Sequence, residues 1–197
     1  MENNGILTSR AQSSLRGKWG LAIITFFVAS IIMGICGATF LGWFLIGSFE
    51  VGLAIFSLNY LRKNNPKIEN LFGGFSSFEN VLSFFLAYLL KTVFTFLWTL
   101  LLVIPGIIAA ISYSMTYYIL ADNPELGSME AINLSKKMMR GHKWQYFGLC
   151  IRFFLWSILC CITLGIGFLF LIPYMHISFA AFYENIKIEK IPNQPIG

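Results

Sequence analysis

The stretch IPGIIAAISYSM, Ile104 to Met115, decides how this chain is read. A Pro-Gly pair interrupts an almost uncharged run from Val81 to Ala121. Proline has no amide donor and its ring clashes with the preceding turn, so it bends or ends a helix. The run is about 40 residues long, twice the roughly 20 helical residues that cross a bilayer core of about 30 Å. It is therefore read as two helices that turn back at Pro105-Gly106 or just before it. A single kinked helix or a re-entrant segment is the rival reading. The length of the run argues against that rival, although Gly106 to Ala121 is short for a full crossing.

The same pattern occurs twice more. Trp19 to Leu61 contains GICGATFLGWFLIG near its middle, and Tyr146 to Ile186 contains CCITLGIGFLFLIP. Both runs are again about 40 residues, with helix-breaking clusters where a hairpin would turn. The expected fold is all-α: a polytopic membrane protein of about six transmembrane helices, arranged as three hairpins with amphipathic interfacial helices. The chain is read as a single membrane domain over residues 1–197. Its hairpin units fall at about 7–62, 70–122 and 124–187, and residues 188–197 form a short C-terminal tail.

Composition supports lipid as the solvent. Of 197 residues, 57% are hydrophobic and 12% are charged, whereas a soluble domain averages about a quarter charged. Twenty Phe and five Trp exceed what one aqueous core of this size could hide. The net charge of +5 does not indicate nucleic acid, because the basic residues flank the apolar runs. Arg10, Arg16 and Lys18 precede the first run, and Arg62, Lys63 and Lys67 follow it. Lys136, Lys137, Arg140 and Lys143 precede the third, and Lys187 and Lys190 follow it. With six crossings all of these fall on one side, so the positive-inside bias predicts cytoplasmic N- and C-termini. The expected location is a bacterial plasma membrane. MENNGILTSRAQSSLRGK does not read as a cleavable leader, and Trp19 to Phe40 is expected to stay as a signal anchor.

The first and third runs are related. At an offset of 124, Arg16-Gly17 matches Arg140-Gly141, Cys36 matches Cys160 and Thr39 matches Thr163. At an offset of 126, Ala54, Phe56 and Asn59 match Ala180, Phe182 and Asn185, and Glu50 falls opposite His176. A two-residue insertion near the turn joins the two registers. Ahead of each run lies an amphipathic segment. Leu7, Ala11, Leu15 and Trp19 recur every four residues before the first. Before the third, Met129, Ile132 and Met139 share a face, Ser128 is a candidate N-cap, and Gly141 closes the helix. Such helices lie in the headgroup region, and Lys136, Lys137, Arg140 and Lys143 are candidate contacts for anionic lipid headgroups.

Four ionisable residues interrupt the runs: Glu50, Lys91, Arg152 and His176. A charge at mid-bilayer costs about 2.5–3.5 kcal/mol on insertion scales, so such groups face protein or water. At 1.5 Å per residue, Glu50 lies about 18 Å from Arg62, Lys91 about 16 Å from Asn80 and His176 about 16 Å from Lys187, one shared level. Arg152 lies about 12 Å from Trp144 and can snorkel to the surface. The four form a candidate intramembrane polar centre, with a buried Glu50–Lys91 pair that merely fixes helix packing as the bland alternative. Tyr113, Tyr117 and Tyr118 either line that interior or belong to an interfacial belt.

The four cysteines, Cys36, Cys150, Cys160 and Cys161, form no C-x-x-C pair or Cys/His cluster and are expected to be buried structural thiols. Asp122, Glu125 and His142 have the chemistry for acid–base work, but no nucleophile motif or phosphate loop accompanies them. Asp122 to Glu125 reads better as a turn and helix start. No enzyme activity, cofactor or metal is expected. The expected partners are the bilayer, anionic lipid and a membrane protein. Two functions are carried: a non-catalytic membrane scaffold, accessory or lipid- or peptide-interacting protein, and a small transporter or channel using Glu50, Lys91 and His176.

RGKWGLAI (16–23), LFGGF (71–75), LLVIPGIIAAISYSM (101–115), ILADNPELGSMEAINLSKKMMRGHKW (119–144) and ITLGIGFLFLIPYMHISFAAFYENI (162–186) resemble an uncharacterised bacterial membrane family, domain of unknown function nine-seven-five. The resemblance runs from about Leu7 to Ile186. It implies a multi-span bacterial membrane protein and brings no catalytic or ligand residues with it. The chain is also distantly similar to the membrane region of some glycerophosphodiester phosphodiesterases. That region is not their catalytic part, so it implies only proximity to lipid.

Overall fold

The structure is a computed structural model that describes residues 3–101, 103–163 and 165–190. Every regular element among them is helical. In chain order they are α1 (Asn4–Leu15), α2 (Trp19–Gly37), α3 (Phe40–Arg62), a 3-10 helix (Ile68–Phe75), α4 (Phe78–Leu101), α5 (Val103–Ser112), α6 (Thr116–Asp122), α7 (Ser128–Met138), α8 (Lys143–Ile162) and α9 (Phe168–Lys190). Each long apolar run divides where its helix-breaking cluster lies. Pro105-Gly106 sits in the first turn of α5, just after the α4–α5 turn, where a missing amide costs no intrahelical hydrogen bond. Gly106 also lets α5 close on α4: a Cβ there would lie 2.3 Å from the Thr99 hydroxyl oxygen.

Five segments are long and apolar enough to cross a membrane: Trp19–Gly37, Gly42–Arg62, Phe78–Leu100, Val103–Asp122 and Lys143–Ile162. The fourth joins α5 and α6 across the break at Tyr113–Met115, so the short half seen in the sequence extends to 20 residues. The sixth expected crossing, α9, is not among them. It is 23 residues long, but Pro173 interrupts it and His176, Glu184 and Lys187 make it more polar. The reason is its place in the bundle. Ile177, Ser178, Ala180, Ala181 and Phe182 are wholly buried against protein, so the helix has less need of lipid-soluble surface. α3 occupies the middle, touching α2, α4, α6, α9 and the 3-10 helix. The flanks of α2, α4 and α8 expose large apolar side chains, including Ile35, Phe96, Phe154 and Trp156.

The stretches 4–62 and 128–190 carry the same succession of elements. Helices of 12, 19 and 23 residues in the first correspond to helices of 11, 20 and 23 in the second. Gly17 and Gly141, each between the short and the first long helix, both adopt left-handed backbone, with φ of 81° and 88°. At the following turn, Thr39 donates to the Cys36 carbonyl and accepts from the Gly42 amide, and Thr163 donates to the Cys160 carbonyl and accepts from the Gly167 amide.

Several local expectations are corrected. The Leu7, Ala11 and Leu15 stripe is wholly buried against protein, with α1 packed on α9, rather than facing headgroups. Ser128 is the first residue of α7, not its cap; Gly127 caps the helix, and the Ser128 hydroxyl donates instead to the Ser83 carbonyl at 2.6 Å. Met129 is exposed while Ile132 and Met139 are buried, because Met129 lies off the face that packs on α4. Cys161 is exposed, whereas Cys160 is buried.

Candidate functional site

The charged ends of the helices are gathered at one end of the bundle. The Arg62 guanidinium, at the end of α3, donates to Asp122 at the end of α6 at 2.9 Å and to Glu184 of α9 at 2.5 and 2.9 Å. Lys187 donates to the same Asp122 carboxylate at 2.7 Å, and the Tyr183 hydroxyl does so at 3.0 Å. Two cations and two anions therefore pin α3, α6 and α9 together. These side chains are 15% or less exposed. At the same end, Tyr60 donates to the Lys18 carbonyl ahead of α2, and Asn4 donates to the Gln145 carbonyl at the start of α8. The sequence reading passed over this cluster. Its only signal was a charge at the end of each long helix, and the partners lie up to 122 positions apart.

A partly open cavity of about 470 Å³, with several polar groups in its walls, lies between the helices. Glu50 enters it from α3, Lys91 from α4 and His176 from α9, the three residues expected at one depth. Tyr117 and Tyr118 of α6 line it too, together with Tyr88 of α4 and Ser114 in the α5–α6 break. The Lys91 ammonium stands 4.2 Å from the centroid of the Tyr117 ring, a cation–π contact. Glu50 and Lys91 both line this cavity. They close no direct ion pair among the described residues. The His176 ring lies against Phe26, 4.8 Å between centroids, and Tyr118 donates to the His176 carbonyl at 3.2 Å.

Arg152 does not join this centre. It is exposed on α8 and reaches the Thr8 hydroxyl of α1 at 3.3 Å, the snorkelling direction toward the charged end. Tyr113 is also elsewhere, packed beside Phe94 with Lys136 over its ring at 5.3 Å. Lys136, Lys137 and Arg140 are exposed around the end of α7, while Lys143 borders an apolar groove between α5 and α8. No cluster of three or more His, Cys, Asp or Glu side chains suited to a metal ion occurs among the described residues. His142 is buried at the α7–α8 junction and Asp122 is committed to the ion cluster.

Together these features define an all-helical bundle with several membrane-length apolar helices, a charged end and a partly open cavity with polar groups in its walls. Residues 99–190 match the model of the family described as "Protein of unknown function (DUF975)", the family that the sequence resembles. The match runs from the end of α4 through α9 and so covers Asp122, His176 and the basic residues of α7, but not Glu50 or Lys91. No curated protein and no solved structure matches the chain.

Proposed function

We propose that this chain is a six-crossing integral membrane protein, with both termini cytoplasmic in a bacterial plasma membrane, that binds a polar group in its intramembrane cavity without transforming it. The observation that carries this reading is the separated Glu50 and Lys91 in one cavity. Opposite charges in a low-dielectric interior attract strongly, and a bland packing pair would be closed. An acid and a base held apart, with tyrosine hydroxyls around them, leave hydrogen-bonding capacity for a guest. Binding of this kind serves either a carrier or an accessory protein that presents its ligand to a membrane partner. The exposed apolar flanks of α2, α4 and α8 suit contact with lipid, since water-facing patches of that extent are rare on monomeric soluble proteins.

The cavity supplies its own reporter, because Cys150 of α8 lines it. With Cys36, Cys160 and Cys161 replaced by Ser, Cys150 should react with a small cationic thiosulfonate in sealed vesicles. Glu50→Gln should slow the cationic reagent relative to a neutral one of equal size. A Cys150 that stays unmodified even in alkaline buffer, where the reactive thiolate forms, while a control Asn64→Cys reacts would mean a dry cavity and would sink the proposal. The same Asn64→Cys variant tests orientation. It should label from the cytoplasmic face, as should Lys136→Cys; labelling of Asn64→Cys from outside would leave a single crossing in 19–62.

A further inference from the structure

The polar cavity does not end at its hydroxyls. Ile111, the last apolar residue of α5 before its break, borders both this cavity and a second groove of about 550 Å³. That groove is walled by Ile104, Ile107 and Ile108 of α5 and by Trp144 and Phe147 of α8, with Lys143 beside them. The same two helices also wall the cavity, through Ala110 and Ile111 of α5 and Tyr146 and Cys150 of α8. The groove therefore lies on the outer side of the α5–α8 seam and the cavity on its inner side. The seam is the lightly held side of α5, which packs extensively on α4 and only sparsely on α8. Immediately after Ile111 the helix ends, and α6 begins again at Thr116.

We infer that the cavity takes an amphiphile from the bilayer through the α5–α8 seam: a phospholipid whose headgroup joins an amine to a phosphate. This rests on the reading of the cavity as a polar binding site and names its ligand. The headgroup chemistry follows from the acid and the base that line the cavity. Lys91 offers a cation to the phosphate and Glu50 an anion to the amine, while the tyrosine and Ser114 hydroxyls serve the remaining oxygens. A ligand of one sign alone would satisfy one of these groups and leave the other unmatched in a low-dielectric site. The acyl chain follows from the groove, whose walls are almost wholly apolar and open to the lipid side, where Ile104 and Trp144 are 72% and 83% exposed. Ile111 stands at the threshold between headgroup and chain.

The test uses the full chain in detergent, with bound lipid read by native mass spectrometry after equilibration with defined mixtures. Phosphatidylethanolamine should be retained in preference to phosphatidylglycerol. Glu50→Gln and Lys91→Met should each lower its retention by about tenfold, the effect of losing one charge-assisted contact. Ile111→Trp, which fills the threshold without touching either charge, should lower it as well, and unaltered melting temperatures will show that the variants are folded. Three outcomes overturn the inference. Free phosphoethanolamine competing as well as the lipid would make the ligand water-soluble. Preference for phosphatidylglycerol abolished by Lys143→Gln but not by Glu50→Gln would place an ordinary surface lipid in the groove. Equal retention of all lipids would mean annular lipid only. A Cys150 that is water-accessible alongside any of these results leaves the cavity reading standing and removes only the lipid.

Discussion

Replacing Asp122 by Ala is expected to lower the melting temperature of the detergent-solubilised protein more than any other single change at the charged end. Asp122 accepts from Arg62 of α3 and from Tyr183 and Lys187 on successive turns of α9. Its loss leaves two cations facing Glu184 alone. Breaking a buried pair by removing one partner costs about 3–5 kcal/mol, because the remaining charge keeps its desolvation penalty. The cluster side chains are only 7–15% exposed, so solvent screening removes little of this. Asp122→Asn should cost less, since the amide oxygen can still accept. Adding Lys187→Met to Asp122→Ala should recover part of the loss by removing one stranded cation. An Asp122→Ala protein that melts with the wild type would show that the ends of α3, α6 and α9 are held by apolar packing alone.

The second large effect concerns Gly52 in the middle of α3. A Cβ at this position would lie 2.0 Å from the Leu71 carbonyl oxygen, and one at Gly74 would lie 2.2 Å from the Ser48 carbonyl oxygen. Both obstacles are backbone, which cannot rotate aside as a side chain can. Gly52→Ala should therefore exceed the usual overpacking cost of about 1–3 kcal/mol and reduce folded yield sharply. Gly20→Ala is the internal comparison. Gly20 lies within α2 with nothing inside 4 Å of its would-be Cβ, so it should gain roughly 0.5–1 kcal/mol from helix propensity. Equal stability of the two variants would show that the 3-10 helix does not seat directly on α3.

These two cases mark what the sequence could and could not tell. Helix lengths and breaks were legible because they depend on neighbours in the chain: Pro105-Gly106, Ala38-Thr39 and the glycines after Thr163 act locally. Glu50, Lys91 and His176, which a rise of about 1.5 Å per residue puts at similar distances from their helix ends, line one cavity. The function of LFGGF was not, because it depends on Ser48 and Gly52 of another helix approaching its backbone. Nor was the Arg62 cluster, whose pairings span 60 to 122 positions. Whether Glu50 and Lys91 touch was not legible either, since depth along two helices says nothing about the rotation of each. Glu50 and His176, matched across the two related stretches, nonetheless enter one cavity from α3 and α9.

The turns at Ala38-Thr39 and Thr163–Gly167 have a consequence for how such a chain would be assembled. For the six-crossing arrangement proposed above, they are hairpin tips that must be pushed through the bilayer during insertion, and they contain no ionised side chain. Thr39 and Thr163 fold their hydroxyls back onto the backbone of the preceding helix, so even these polar groups travel partly satisfied. Each hairpin can thus be delivered by its own apolar length while its charged feet remain on the side of synthesis. The Arg62, Asp122, Glu184 and Lys187 groups need never cross; they meet only once the third hairpin has arrived, which makes their pairing a late step that locks a completed bundle.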